Sequence, residues 1–121
     1  SPFETFRNCD AAMVFYDLGS NITTLNGHRK LCEVHRHTSH TSDTKKIPVI
    51  VCGNKDDGEK KVKKVPPSWV CKKELPHCTL STKDLSTIER FNKFVYPFQY
   101  LLRQLTGKES LTLTSVAEVH E

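Results

Sequence analysis

The sequence predicts an α/β domain built on a partial doubly wound sheet, about three parallel strands with flanking helices. Three observations carry that prediction. Two apolar runs, AAMVFYDL at residues 11–18 and IPVIVCG at residues 47–53, show no clean alternation, and near-continuous runs of this length suit central strands of a parallel sheet covered on both faces. Between them, NITTLNGHRKLCEVHRH places Leu25, Leu31, Cys32 and His35 at helical spacings, the crossover that two parallel strands require. Near the end, Ile88, Phe91, Phe94, Val95, Phe98, Leu101, Leu102 and Leu105 form an apolar stripe along a helix stopped by Gly107.

The remaining elements follow in chain order. The polar stretch HTSHTSDTKK, about residues 38–46, is too long for a tight connection and reads as a flexible surface loop. A basic connector spans about residues 58–76. Its paired Pro66 and Pro67 exclude one long helix, leaving room for a short helical piece over residues 68–73. A third, shorter strand is expected in HCTLS, residues 77–81. The final helix covers about residues 85–106, and Pro97 should kink it or begin its main part, with residues 92–96 as an irregular lead-in. The aromatic set Phe91, Phe94, Phe98 and Tyr100 belongs to the core or its edge.

A chain of 121 residues is the size of one domain and builds one core. With 36% hydrophobic and 26% charged residues it has an ordinary globular composition. The net charge of +4 hints at an acidic partner surface without requiring nucleic acid, and basic residues are scarcely interleaved with aromatic ones. Five cysteines, Cys9, Cys32, Cys52, Cys71 and Cys78, make an odd set with no disulfide rhythm, which favours a reducing compartment. No apolar stretch approaches the roughly 18 residues of a membrane span, and the opening SPFETFRN matches neither a signal nor a transit peptide. The expectation is a soluble intracellular protein. Starting at serine on a mid-domain segment, the chain also reads as a fragment.

In open α/β sheets, ligands bind beyond the carboxyl ends of strands. Two polar segments fall there: Asn54-Lys55-Asp56-Asp57 after the second strand, and Ser81-Thr82-Lys83 after the third. A guanine base presents N1–H and the N2 amino group as adjacent donors, so one carboxylate accepts from both, and adenine offers no matching pair. Asp57 would be that carboxylate. Asn54 carries donor and acceptor and could reach N7 while bracing a neighbouring loop, and the aliphatic stem of Lys55 could lie on the base face.

At these residues the sequence resembles a known family. GNKDD is similar to the N-K-x-D guanine motif of small GTPases, and STK to their S-A-K motif. The resemblance is closest to the Ran nuclear-transport GTPases. MVFYDLGSNIT parallels their fourth strand and following turn, HRKLCEV their third helix, and IPVIVCGNK their fifth strand. KKVKK and CKKEL parallel the basic connector, and YPFQYLLRQLTGKESL the last helix.

The resemblance implies a partial P-loop GTPase-like sheet and binding of GTP or GDP, with guanine read by Asn54, Lys55, Asp57, Ser81, Thr82 and Lys83. The backbone N–H of Thr82 would donate to O6, and the stem of Lys83 would help to enclose the base. Partners would be importin- and exportin-type transport receptors and GTPase regulators, in nucleus and cytoplasm. The receptor-facing surface would be the basic patch of Lys60, Lys61, Lys63, Lys64, Lys72 and Lys73. A plain solvated face is the other reading of those lysines.

The departures from the family are as informative. The sequence contains no G-x-x-x-x-G-K-[ST] phosphate loop, and neither a switch threonine, a D-x-x-G nor a water-orienting glutamine is found. Mg2+ belongs only to a complete G domain. The chain therefore resembles the carboxyl-terminal half of a Ran-like domain, with no catalytic residues of its own. SVAEVHE stands where the acidic tail of Ran would be. The alternative is a degenerate pseudo-GTPase module that binds protein without nucleotide, to which the bulk of Thr82 also points. His28, Cys32, His35, His37 and His40 fit no common zinc spacing and read as solvent-facing helix residues, so no metal is assigned.

Overall fold

A computed structural model of the chain describes Phe6, residues 8–38 and residues 46–114. The predicted flexible loop falls mostly outside these residues. Six main elements follow in order: β1 (Ala12–Asp17), α1 (Asn21–Thr38), β2 (Val49–Asn54), α2 (Ser68–Lys72), β3 (His77–Thr79) and α3 (Ile88–Thr106). The strands form one all-parallel sheet in the order β1-β2-β3. Its fold is α/β with flanking helices, the arrangement of a partial doubly wound domain.

β2 sits in the middle and is buried on both faces. Alternate residues serve opposite sides: Val49 and Val51 join Val14, Tyr16, Leu31, Val34, Trp69 and Val70 beneath α1 and α2, while Ile50 and Cys52 join Leu80 and Leu101 beneath α3. That two-sided burial is why residues 49–52 are apolar without alternation. Each fully buried aliphatic side chain contributes about 1.5–3 kcal/mol. β1 is covered less evenly. Val14 and Tyr16 face α1, whereas Phe15 points the other way, where α3 packs on β2 and β3, and stays 43% exposed.

Helix α1 approaches the sheet through Gly27, Leu31, Val34 and Thr38. Leu25, expected in the apolar stripe, is 59% exposed instead. Gly27 takes that place because its missing side chain lets α1 settle against Trp69, the Phe15 carbonyl and Tyr16, each within about 4 Å of where a Cβ would stand. His28 stacks on the Trp69 indole, with ring centres 5.1 Å apart and 12° between planes. The basic connector is pinned at two places: the Lys61 and Val62 amides donate to the Leu18 carbonyl (2.8 and 3.0 Å), and Val62 and Trp69 are buried.

The irregular lead-in expected at residues 92–96 is not observed: α3 runs unbroken from Ile88 through Pro97 to Thr106. The reason lies at its start. Thr87 caps the helix, its hydroxyl accepting from the Arg90 amide (3.1 Å), and Glu89 occupies the first turn, so the helix is nucleated well before Pro97. Pro97 is fully buried, and that packing offsets its missing N–H. Gly107 ends the helix in the left-handed region (φ 72°). Beyond it the chain folds back, with Arg103 Nε donating to the Leu111 carbonyl (2.7 Å) and the Leu113 amide to Gln99 Oε1 (3.0 Å).

The stripe on α3 is only partly core. Leu101 is buried, whereas Ile88, Phe98, Leu102 and Leu105 are 72%, 40%, 37% and 47% exposed. Periodicity located the helix and its apolar side but overstated how much of that side the three strands cover.

A polar bridge crosses the α1 face of the sheet. Tyr16 lies over β2 and its hydroxyl meets His77 Nε2 on β3 at 2.8 Å. Burial pushes the Tyr16 phenol up to about 12, so it stays protonated and shares a hydrogen bond with the His77 ring, whose tautomer sets which group donates. Burial also lowers the pKa of His77 from its ordinary 6.5. His35 moves the same way, through burial first and then through Lys46 and Lys73.

In both cases the unfolded chain takes up a proton at higher pH than the folded one. The stability tied to these neutral rings is complete above the unfolded value near 6.5 and is lost as pH falls through the lower folded values. Thermal unfolding between about pH 7.5 and 5 should show a falling midpoint, and His77→Gln, which keeps a hydrogen-bond partner for Tyr16 but does not titrate, should flatten part of that fall. An unchanged slope in the variant would remove His77 from the account.

Candidate functional site

The carboxyl ends of β1, β2 and β3 lie side by side, and the loops that leave them make the candidate site. The β2 loop is held from both sides: the Leu18 amide donates to the Asn54 carbonyl (2.9 Å), and the Asp56 amide to the Leu80 carbonyl (3.1 Å). A turn follows, closed by the Gly58 amide on the Lys55 carbonyl (3.1 Å), and Lys55 enters it with φ 68°, a left-handed conformation uncommon outside glycine. Asp56 and Asp57 are the turn's central residues and face different surroundings.

Asn54 joins the two loops. Its Oδ1 accepts from its neighbour Lys55 (2.8 Å) and from the Thr82 amide (3.2 Å), while Nδ2 donates to Thr82 Oγ1 (3.3 Å). Bracing, expected of Asn54 from its amide chemistry, is therefore observed. The Thr82 N–H, expected to point at a base, is the donor in that brace. Ser81 is buried, and its hydroxyl accepts from the Lys83 and Asp84 amides (3.2 and 3.0 Å), so it shapes the loop from within. Lys83 is exposed.

The two adjacent aspartates diverge. The Asp57 side chain is exposed, whereas the Asp56 carboxylate is only 2% exposed and ion-paired to both Arg90 and Lys93 of α3. Sequence reading passed over this triad. A weak signal was present: Arg90 and Lys93 are three residues apart on one helix face near its amino-terminal end, where a carboxylate opposite is favoured.

Asp17 at the end of β1 is the second residue that motif reading left without a role. Its Oδ2 lies 2.6 Å from the Lys55 ammonium and its Oδ1 accepts from the Gly19 amide at 2.7 Å. The hydrogen bond from Lys55, then that from Gly19, lowers its pKa below the ordinary 3.8. Lys55 thus spans from the β2 loop to β1, although at 65% exposure the pair adds well under about 1 kcal/mol. Beside it a hollow of about 290 Å³ runs between β1 and α1, walled by Phe15, Tyr16, Asp17, Thr23, Lys30 and Asn54. It opens on the side of β2 away from β3, so Thr82 and Lys83 do not line it.

The six connector lysines are all exposed but do not share one surface feature. Lys61, Lys63 and Lys64 border a hollow of about 370 Å³ with Asn21, Leu25 and Trp69. Lys73 borders another, of about 470 Å³, near the start of β2 with His35, Lys46 and Tyr100. Lys60 and Lys72 line neither. His28 and His37 are occupied in ring stacking with Trp69 and Phe6, and His40 lies outside the described residues. Among the described residues no group of His, Cys, Asp and Glu is arranged to hold a metal ion, and no helix is long and apolar enough to cross a membrane.

Compared with protein-family models, the chain matches none.

Proposed function

We propose that the chain is the base-reading half of a Ran-like GTP-binding protein of nucleocytoplasmic transport, incomplete without a phosphate loop and switches. The observation that carries the reading is the Asn54–Thr82 brace, which ties the two motif-bearing loops together while leaving the Asp57 carboxylate exposed one turn away. These residues suit a guanine edge: an acceptor-only carboxylate for N1–H and N2, a fixed loop beside it, and lysine stems from Lys55 and Lys83 to flank the ring. GTP or GDP is the ligand class, and the phosphates would have to be held by a segment outside the described residues. The exposed lysines suit acidic transport receptors, and the same reading puts the protein in nucleus and cytoplasm.

Titration with fluorescent GDP and ADP tests the proposal. GDP should bind at high micromolar concentration and at least about tenfold more tightly than ADP, and Asp57→Ala should erase the difference. Equal binding of the two, or none, would sink the reading.

A second reading has its own support. The Thr82 N–H, the donor proposed for O6, is already engaged by Asn54, and a ligand would have to displace that bond; the Lys55 ammonium is engaged by Asp17. A protein-binding module that keeps the scaffold without nucleotide needs neither group free. It fits an outcome in which GDP and ADP both fail to bind while an acidic protein partner does.

A further inference from the structure

We propose that Cys52 and Cys78 form a peroxide-oxidisable dithiol that closes into a disulfide between β2 and β3. The two residues are Cα partners in the parallel register. Neighbouring strands lie about 4.8 Å apart, inside the roughly 4.4–6.8 Å over which disulfides join Cα atoms. Both side chains sit on the α3 face, and their sulfurs are 3.7 Å apart, already in contact. The other thiols are elsewhere: Cys9 donates to the Ala11 carbonyl, Cys32 lies on α1 and Cys71 is exposed on α2.

The surroundings assign a role to each sulfur. Cys78 is on the shorter strand and is the less buried of the two, so it is the sulfur that peroxide would meet first, while Cys52 is fully buried. The hydrogen bond between the two thiols, helped by the Lys93 ammonium, lowers the pKa of Cys78 against the opposing effect of burial. The same hydrogen bond and burial raise Cys52. Cys78 is therefore the attacking sulfur and Cys52 the resolving one.

In the first step the Cys78 thiolate attacks one oxygen of hydrogen peroxide, the O–O bond breaks, and hydroxide leaves and is protonated to water. Cys78 becomes a sulfenic acid. In the second, Cys52 loses its proton and attacks the Cys78 sulfur, and the departing hydroxide takes that proton as a second water. Two thiols and one peroxide give one disulfide and two waters. The bond would form just below the Asn54–Thr82 brace, on the two strands that carry it. The chemistry stands whether or not those loops read guanine.

The test uses the full chain, reduced and then exposed to hydrogen peroxide, alkylated, and mapped by mass spectrometry without reduction. The expected product has lost two hydrogens and yields one peptide pair joined through Cys52 and Cys78. Cys78→Ser should abolish that product, and Cys52→Ala should leave a dimedone-reactive sulfenic acid on Cys78. Because the joined peptides are read from the unmodified chain, the test holds even if a variant folds poorly. Sulfinic acid on Cys78 without a disulfide, pairing between any other cysteines, or oxidation of Cys71 alone would overturn the proposal.

Discussion

Asp56→Ala should destabilise the fold by about 3 kcal/mol, while the same substitution at its neighbour Asp57 should stay within about 0.5 kcal/mol of the parent. The contrast comes from position in one tight turn. Asp56 points under α3 and neutralises Arg90 and Lys93, which are 30% and 39% exposed. Removing it leaves two cations facing each other at a site shaped for an anion. Their partial exposure keeps the loss toward the lower end of the roughly 3–5 kcal/mol found when a buried pair is broken. Urea unfolding of the two variants side by side checks this. Equal stabilities would mean that the triad does not hold α3 to the β2 loop. The pair also separates stability from recognition, since Asp57→Ala is expected to act on guanine preference alone.

Gly53→Ala should destabilise by about 2–3 kcal/mol, measured in the same way. A Cβ at residue 53 would stand 2.9 Å from the Tyr16 hydroxyl, 3.0 Å from its ring carbon and 3.1 Å from Leu18 Cδ2. A long, exposed side chain would swing away from such a contact. Tyr16 is 2% exposed and held by His77, so relief requires moving a packed ring and breaking a hydrogen bond together. Gly53 is thus the residue that lets a tyrosine on β1 reach across β2 to a histidine on β3. A fully stable variant would show that the ring has room to move.

Much of this architecture was legible in the sequence because burial on both faces leaves a strong imprint. Residues 49–52 are apolar without alternation, and that pattern marked β2 as central; it marked the run at 11–18 in the same way, and the structure places that strand, β1, at the edge of the described sheet. The crossover helix, the short helix after the paired prolines and the third strand were legible for similar local reasons. What escaped depends on distant partners. Whether Leu25 or Gly27 faces the sheet is decided by Trp69, which lies far along the chain. Pro97 looked like a boundary because its neighbours say so, and was overruled by a threonine cap upstream and by burial beneath it. At the candidate site, motif reading picked out Asn54 and the loops around it. It could not foresee that Asp56 would be taken by α3 or Lys55 by Asp17, because neither partner belongs to the motif.

The all-parallel register bears on how the chain reaches this state. Ala12 pairs with Val49 and Val51 with His77, so among the described residues the sheet contains no hairpin that could zip from a tight turn. Every strand pairing waits on closure of a long intervening segment, whereas α1 and α3 can form from neighbours within a few residues. Early folding is therefore expected to be helical, with the strands docking afterwards and β2 as the last place where both faces become dry. The slow step belongs to the sheet, and mutations in β2 should slow refolding more than equally destabilising changes near the end of α3.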